Sequence, residues 1–199
     1  MTELIVATKN KGKAAEFRDM LVPYGFEVKT LLDFQDRMPD IEETGTTFQE
    51  NAQLKAEEIS TLLNKPVIAD DSGLAIDYLQ GRPGIYSARY AGEPTDDRLN
   101  YEKVLNEMKG VTESDRTARF ICMLAFAQPG KQTIFIEGTC EGTITTEARG
   151  TNGFGYDPIF VPTKYDKTMA ELEASEKNEL SHRYHALVAF QAWLDKQQR

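Results

Sequence analysis

Pro66-Val67-Ile68-Ala69-Asp70-Asp71-Ser72-Gly73 is an apolar run that stops at two adjacent carboxylates, a hydroxyl and a glycine. Val67, Ile68 and Ala69 read as a short buried strand. Asp70 and Asp71 are then expected where that strand emerges, the place where open α/β sheets carry ligand and metal groups. Adjacent strand residues point to opposite faces. The two carboxylates are therefore expected to do different work, one facing a site and the other tying down backbone. The alternative is plain turn or helix-start chemistry, which Asp-Asp-Ser-Gly also suits.

Outward from this strand the chain alternates elements. Leu4 to Thr8 reads as a buried first strand, Lys13 to Leu21 as a helix, and Phe26 to Val28 as a second strand. Residues 31–45 are polar and irregular. Thr47-Phe48-Gln49-Glu50 is a capping box, and Phe48, Ala52, Ala56, Ile59 and Leu63 make one apolar helical stripe. After a Gly- and Pro-rich stretch reaching Gly92, a helix is predicted from about Asp96 to Met108. Thr117 to Ala127, Thr133 to Gly138 and Thr143 to Thr146 then read as consecutive strands of an antiparallel meander, and Pro158-Ile159-Phe160 as a short strand. Thr168 to Leu172 starts a short helix. Ser181 opens a closing helix with Ala186, Leu187, Phe190 and Leu194 on its apolar side. Without repeats or a linker, the pattern predicts one two-lobed α/β domain over residues 1–199 with a mixed sheet.

Composition narrows the function classes. The 199 residues carry 40% hydrophobic and 28% charged side chains, ordinary for a globular protein. No stretch approaches the roughly 18 apolar residues of a membrane span, and Met1 to Leu4 lacks signal-peptide features. Cys122 and Cys140 have no metal-type spacing and read as structural thiols. Together these features place the chain in the cytoplasm. The net charge of −9 argues against coating nucleic acid, which needs a basic face. A small anionic substrate remains open, given local cations and a divalent metal.

Five further blocks could carry chemistry. Thr8-Lys9-Asn10-Lys11-Gly12-Lys13 is a strand-to-helix turn able to aim N–H groups and a helix dipole at an anion. It lacks Walker A spacing, and a solvated basic turn is the alternative. Glu42-Glu43-Thr44-Gly45 offers hard oxygen ligands suited to Mg²⁺, or mere helix-dipole partners. Met38 and Pro39 stand where a Nudix box needs Arg and Glu, which excludes that motif. Gly81 to Tyr90 reads as an interface, a substrate wall or a surface loop. Gly153-Phe154-Gly155-Tyr156-Asp157-Pro158 flanks an aromatic ring with two flexible glycines, suited to stacking on a base or to a buried turn. Glu176-Lys177-Asn178, followed by Ser181-His182-Arg183, places cations in a first helical turn. The dipole disfavours them there unless an anion or carbonyl ligand is present. His182 and His185 lack the third ligand of a zinc site.

In this order, the blocks resemble the inosine/xanthosine triphosphate pyrophosphatase family, which acts on noncanonical purine nucleotides. The matching segments are Ala7-Thr8-x-Asn10-x-x-Lys13, Glu43-Thr44-Gly45-x-Thr47-Phe48-x-Glu50-Asn51-Ala52 and Ala69-Asp70-Asp71-Ser72-Gly73-Leu74. They continue with Pro83-Gly84-Ile85-Tyr86-Ser87-Ala88-Arg89-Tyr90, Gly153 to Pro158, and Glu176-Lys177-Asn178-x-x-Ser181-His182-Arg183. The resemblance runs from residue 5 to about 190; residues 31–41 match nothing firmly.

It implies an elongated, largely antiparallel mixed sheet flanked by helices, with the nucleotide in a cleft between lobes, and a homodimer. It implies hydrolysis of ITP, dITP and XTP to monophosphate and pyrophosphate with Mg²⁺. Asp71 is then the expected general base, Glu43 and Asp71 the metal ligands, and Asp70 a supporting acid. Thr8, Lys9, Asn10, Lys11, Gly12 and Lys13 are expected to hold the triphosphate, with Ser72 and Lys177 as further contacts. Phe154 would stack on the base, backbone or side-chain groups of Tyr156 and Asp157 would read its edge, Gly155 would be a further substrate contact, and His182 and Arg183 would donate to the 6-oxo group. A regulatory nucleotide-binding module, an RNA-binding protein and a pyrophosphatase for modified pyrimidines are the competing readings.

Overall fold

The computed structural model describes residues 2–34 and 38–197; part of the polar 31–45 stretch, at 35–37, lies outside them. Six strands form one mixed sheet in the order β2-β1-β3-β4-β5-β6. The strands are β1 Thr2–Val6, β2 Phe26–Thr30, β3 Val67–Ile76, β4 Thr117–Ala127, β5 Ile134–Ile144 and β6 Phe160–Pro162. The α-helices are α1 Lys11–Leu21, α2 Phe48–Leu63, α3 Asp97–Glu107, α4 Ala174–Leu180 and α5 His182–Gln197. β1 runs parallel to both β2 and β3, whereas β5 and β6 are antiparallel.

The chain divides into two compact units. The first comprises Met1–Asp71, Cys122–Gly138 and Ala186–Arg199. Its core joins Ile5, Val67 and Ala69 of the sheet to Ala52, Ala56 and Ile59 of α2. The α2 stripe works because its buried positions recur at helical spacing. In the same unit Phe190 of α5 packs edge-on against Phe126, with ring centroids 5.1 Å apart.

The second unit comprises Ser72–Ile121 and Thr139–His185. Leu74, Ile76, Val104, Phe120, Ile159 and Phe160 lie in its core. Arg116 is buried there, and its guanidinium donates to the carbonyls of Met108 (2.9 Å) and Ile144 (2.6 Å). It thereby satisfies a carbonyl that the end of α3 leaves without a helical partner.

Several expected boundaries move. β3 does not stop at Ala69 but continues through both aspartates to Ile76, so Asp70 and Asp71 lie inside a strand rather than at its end. β1 ends at Val6, before Thr8, and α1 begins at Lys11. The strands expected at 133–138 and 143–146 are one strand, β5. Its Gly142 is required by close packing: a Cβ there would stand 2.3 Å from the carbonyl oxygen of Val161. Pro158 and Ile159 belong to a 3₁₀ turn ahead of β6, and residues 169–171 form another 3₁₀ turn rather than an α-helix. A further short helix, α4, precedes the closing helix. The capping box of α2 is half formed. Thr47 accepts the Glu50 N–H at 3.1 Å, but the Glu50 carboxylate reaches Thr46, accepting its N–H and hydroxyl.

Candidate active site

The first unit gathers acids and lysines at the middle of β3. Asp70 and Asp71 are buried, which is tolerable only with paired charges. Lys13, in the first turn of α1, places Nζ 2.9 Å from Asp70 Oδ2. That turn is built by two short polar residues: Thr8 Oγ1 accepts the Asn10 N–H at 3.2 Å, and Asn10 Oδ1 accepts the Lys13 N–H at 3.0 Å. Asn10 is thus the N-cap of α1. Gly12 lies in the same turn and Lys11 points to solvent. Lys9 is drawn elsewhere, to Asp40 Oδ1 (2.5 Å) and the Met38 carbonyl (3.2 Å).

Lys55, on α2, is the cation at the centre of the cluster. Its Nζ donates to Glu43 Oε1 and to the Asp70 carbonyl, each at 2.7 Å, and lies 3.8 Å from Asp71 Oδ1. Burial works against its charge, but the carboxylates of Asp71, Asp70 and Glu43 outweigh burial and raise its pKa. For Asp71, burial is the largest effect; with the facing Glu43 it pushes the pKa up, against the pull of Lys55 and Lys13. Asn51, one helical turn before Lys55, donates Nδ2–H to Asp71 Oδ2 at 3.1 Å and accepts the Gly45 N–H at 2.8 Å. Glu42 is exposed, so Glu43 is the acid that turns inward.

Neither Lys55 nor Asn51 was assigned a role from sequence. The available signal was two polar residues at i and i+4 beside Ala52 and Ala56, on the side of α2 that had to be buried.

Glu43 and Asp71 converge on one ammonium group. Among the described residues, no group of three His, Cys, Asp or Glu side chains could hold a metal ion. Two carboxylates with hard oxygens fit Mg²⁺, which takes one or two protein carboxylates and leaves other positions to water and phosphate.

The second unit gathers an aromatic ring with two cations. Gly153 has φ +75°, and a Cβ there would stand 2.1 Å from Asp157 Oδ2. The tight turn lets that same oxygen accept the Phe154 N–H at 2.9 Å and pair with Lys177 Nζ at 2.7 Å. Lys177 Nζ lies 4.7 Å from the Phe154 ring centroid, and Arg183 Cζ lies 5.7 Å from it. Arg183 also donates to Ser72 Oγ at 3.4 Å. Ser181 Oγ accepts the Tyr184 N–H at 3.1 Å, fixing the start of α5, which carries Arg183.

Two of the expected base contacts are buried. His182 is buried, with its ring stacked on Phe120 at 4.9 Å. Tyr156 is buried, and its hydroxyl donates to the Ser87 carbonyl at 2.7 Å; burial raises its pKa. Its phenol is therefore a core group, because a large ring with a satisfied hydroxyl gains from burial. Ser87 also accepts the Leu74 N–H at 2.9 Å, so the 83–90 segment is stitched to β3 on its inner side. Gly155 N–H donates to Asp97 Oδ2 at 2.8 Å. Asp97 is a further residue absent from the sequence motifs.

The sequence profile of the Ham1 family matches residues 4–193. The dITP/XTP pyrophosphatase of Oceanobacillus iheyensis is 61% identical over 194 residues, covering 98% of each chain. That of Halalkalibacterium halodurans is 62% identical over 195 residues, covering 98% of this chain and 100% of its own. Among solved structures, the Staphylococcus aureus Ham1 protein superposes with a TM-score of 0.87 at 44% identity, over 98% of this chain and all of its own (100%).

Proposed function

The chain belongs to the Ham1 family, and from that premise we propose that it is a pyrophosphatase hydrolysing dITP, ITP and XTP to the monophosphate and pyrophosphate, so clearing them from the nucleotide pool. The observation that carries this reading is the convergence of Glu43, Asp71 and Lys55 beside the Lys13–Asp70 pair. Such a cluster suits phosphate chemistry, which needs charge neutralisation and a base.

In the proposed reaction, water attacks the α-phosphorus, the bond to the β-phosphate oxygen breaks, and pyrophosphate leaves. Asp71 takes the proton from the attacking water. Its raised pKa makes it a stronger base, and Asn51 holds one of its oxygens so that the other is aimed. Glu43 and Asp71 would hold Mg²⁺, which shields phosphate charge and acidifies bound water when present. Lys13 and the Thr8–Lys13 turn bind the triphosphate, and Asp70 keeps Lys13 in place. Lys9 and Lys11 add charge at its rim.

The base is assigned to the residues around Phe154. Phe154 stacks on the purine, Lys177 and Asp157 hold the turn, and Arg183 donates to a 6-oxo group that adenine lacks. An unpaired buried polar group costs about 1–3 kcal/mol, or about five- to 150-fold in discrimination. His182 backs this wall through Phe120.

The whole chain, residues 1–199, would act as one catalytic domain. We also place it in the cytoplasm as a homodimer. The buried free thiols Cys122 and Cys140 support the first, and exposed Tyr86 and Leu99, at 54% and 46%, support the second. No helix among the described residues is long and apolar enough to cross a membrane.

The test is a substrate panel of ITP, XTP, dUTP and GTP with Mg²⁺, assayed for pyrophosphate and monophosphate. ITP and XTP should be turned over in strong preference to GTP. Preference for dUTP would move the reading to pyrimidines, and no pyrophosphate from any of the four would refute it.

A further inference from the structure

We infer that Asp97 is a positioning residue for base recognition, holding the Phe154 turn from α3; this rests on the function proposed above. The turn from Gly153 to Asp157 is pinned twice. From within, the Asp157 carboxylate accepts the Phe154 N–H and pairs with Lys177. From outside, Gly155 N–H donates to Asp97 Oδ2 at 2.8 Å, across 58 residues of sequence. The two together fix both backbone amides around Phe154.

Asp97 is spare for this task. The N-cap of α3 is Asp96, whose Oδ1 accepts the Leu99 N–H at 2.9 Å. Asp97 lies in the first turn, where the helix dipole favours an anion, and its carboxylate leaves the helix for the turn instead. Gly155 itself has φ +61° and open space beside it. Its backbone is free to relax in the absence of an acceptor, since glycine tolerates many conformations. Asp97 removes that freedom and keeps the ring in a stacking pose.

The expected signature is a loss confined to the base half of the substrate. Asp97→Ala should raise KM for ITP about 5- to 10-fold, the range of one charge-assisted hydrogen bond, with kcat within about twofold. Competitive inhibition by IMP should weaken by a similar factor, while inhibition by pyrophosphate stays unchanged. Asp97→Asn keeps an acceptor oxygen and should recover most of the IMP affinity. If the alanine protein folds poorly, Asp97→Leu, which keeps the volume and removes the acceptor, takes the same assays with the same expected losses. Wild-type KM in Asp97→Ala, equal weakening of IMP and pyrophosphate, or an asparagine variant as weak as alanine would each overturn the proposal. Wild-type turnover of ITP is the control: its absence removes the function reading itself, and with it this one.

Discussion

Asp71 is pulled in two directions, and the balance decides its chemistry. Burial and Glu43 favour the neutral acid, while Lys55 and Lys13 favour the anion. Asp71→Asn keeps the shape and removes the base. Turnover of ITP should fall by about 10²–10⁴-fold with little change in KM, measured as pyrophosphate release; near-normal rates would end the assignment. Lys55→Met leaves Glu43 and Asp71 facing each other without their cation. Breaking a buried pair costs about 3–5 kcal/mol, which urea unfolding should register. Asp71, Glu43 and Lys13 were legible because each stands in a short block whose chemistry is local. Lys55 and Asn51 were not, because their importance depends on what α2 faces, and a lysine on a helix normally reads as solvated surface.

At the level of elements, glycines misled most. Gly138 and Gly142 look like turn punctuation, yet β5 runs straight through them. Gly142 is there because Val161 and Phe160 approach too closely for a Cβ. Gly142→Ala should therefore destabilise the protein by about 1–3 kcal/mol, the usual cost of overpacking, read as a lower urea midpoint. Asp70-Asp71-Ser72-Gly73 misled for a related reason: turn chemistry locally, strand in fact, because lysines from α1 and α2 reach the carboxylates. α4 escaped notice because its seven residues carry Glu176, Lys177 and Glu179 and show no apolar stripe. Longer elements with strong periodicity, such as α2, α3 and β4, were read nearly to the residue.

For the whole molecule, acid should be the sensitive direction. Several carboxylates sit below their ordinary values: Asp33 through the Thr30 N–H, Asp77 through the Thr117 hydroxyl, and Glu171 through the Thr168 N–H. A lowered folded pKa contributes stability that is present above the unfolded pKa and lost as pH falls through the folded one. With ordinary values of 3.8 for Asp and 4.5 for Glu, the melting temperature should hold down to near those values and drop below them. Thiol chemistry should be silent in the native state. Cys140 is pushed up to about 12 by burial, and Cys122 is also buried. A thiol reagent at pH 8 should label neither until denaturant is added.

No linker is legible because the boundaries of the units fall inside elements, within β3, β4, β5 and α5. This organisation governs how the protein can be born. The first unit needs Phe126 from the middle of the chain and Phe190 from its last helix. A ribosome that has emitted every strand, but still holds α5 in its exit tunnel, has therefore delivered an unroofed core. Folding of that unit waits until α5 has left the tunnel, and a premature stop anywhere before α5 leaves Phe126 without Phe190.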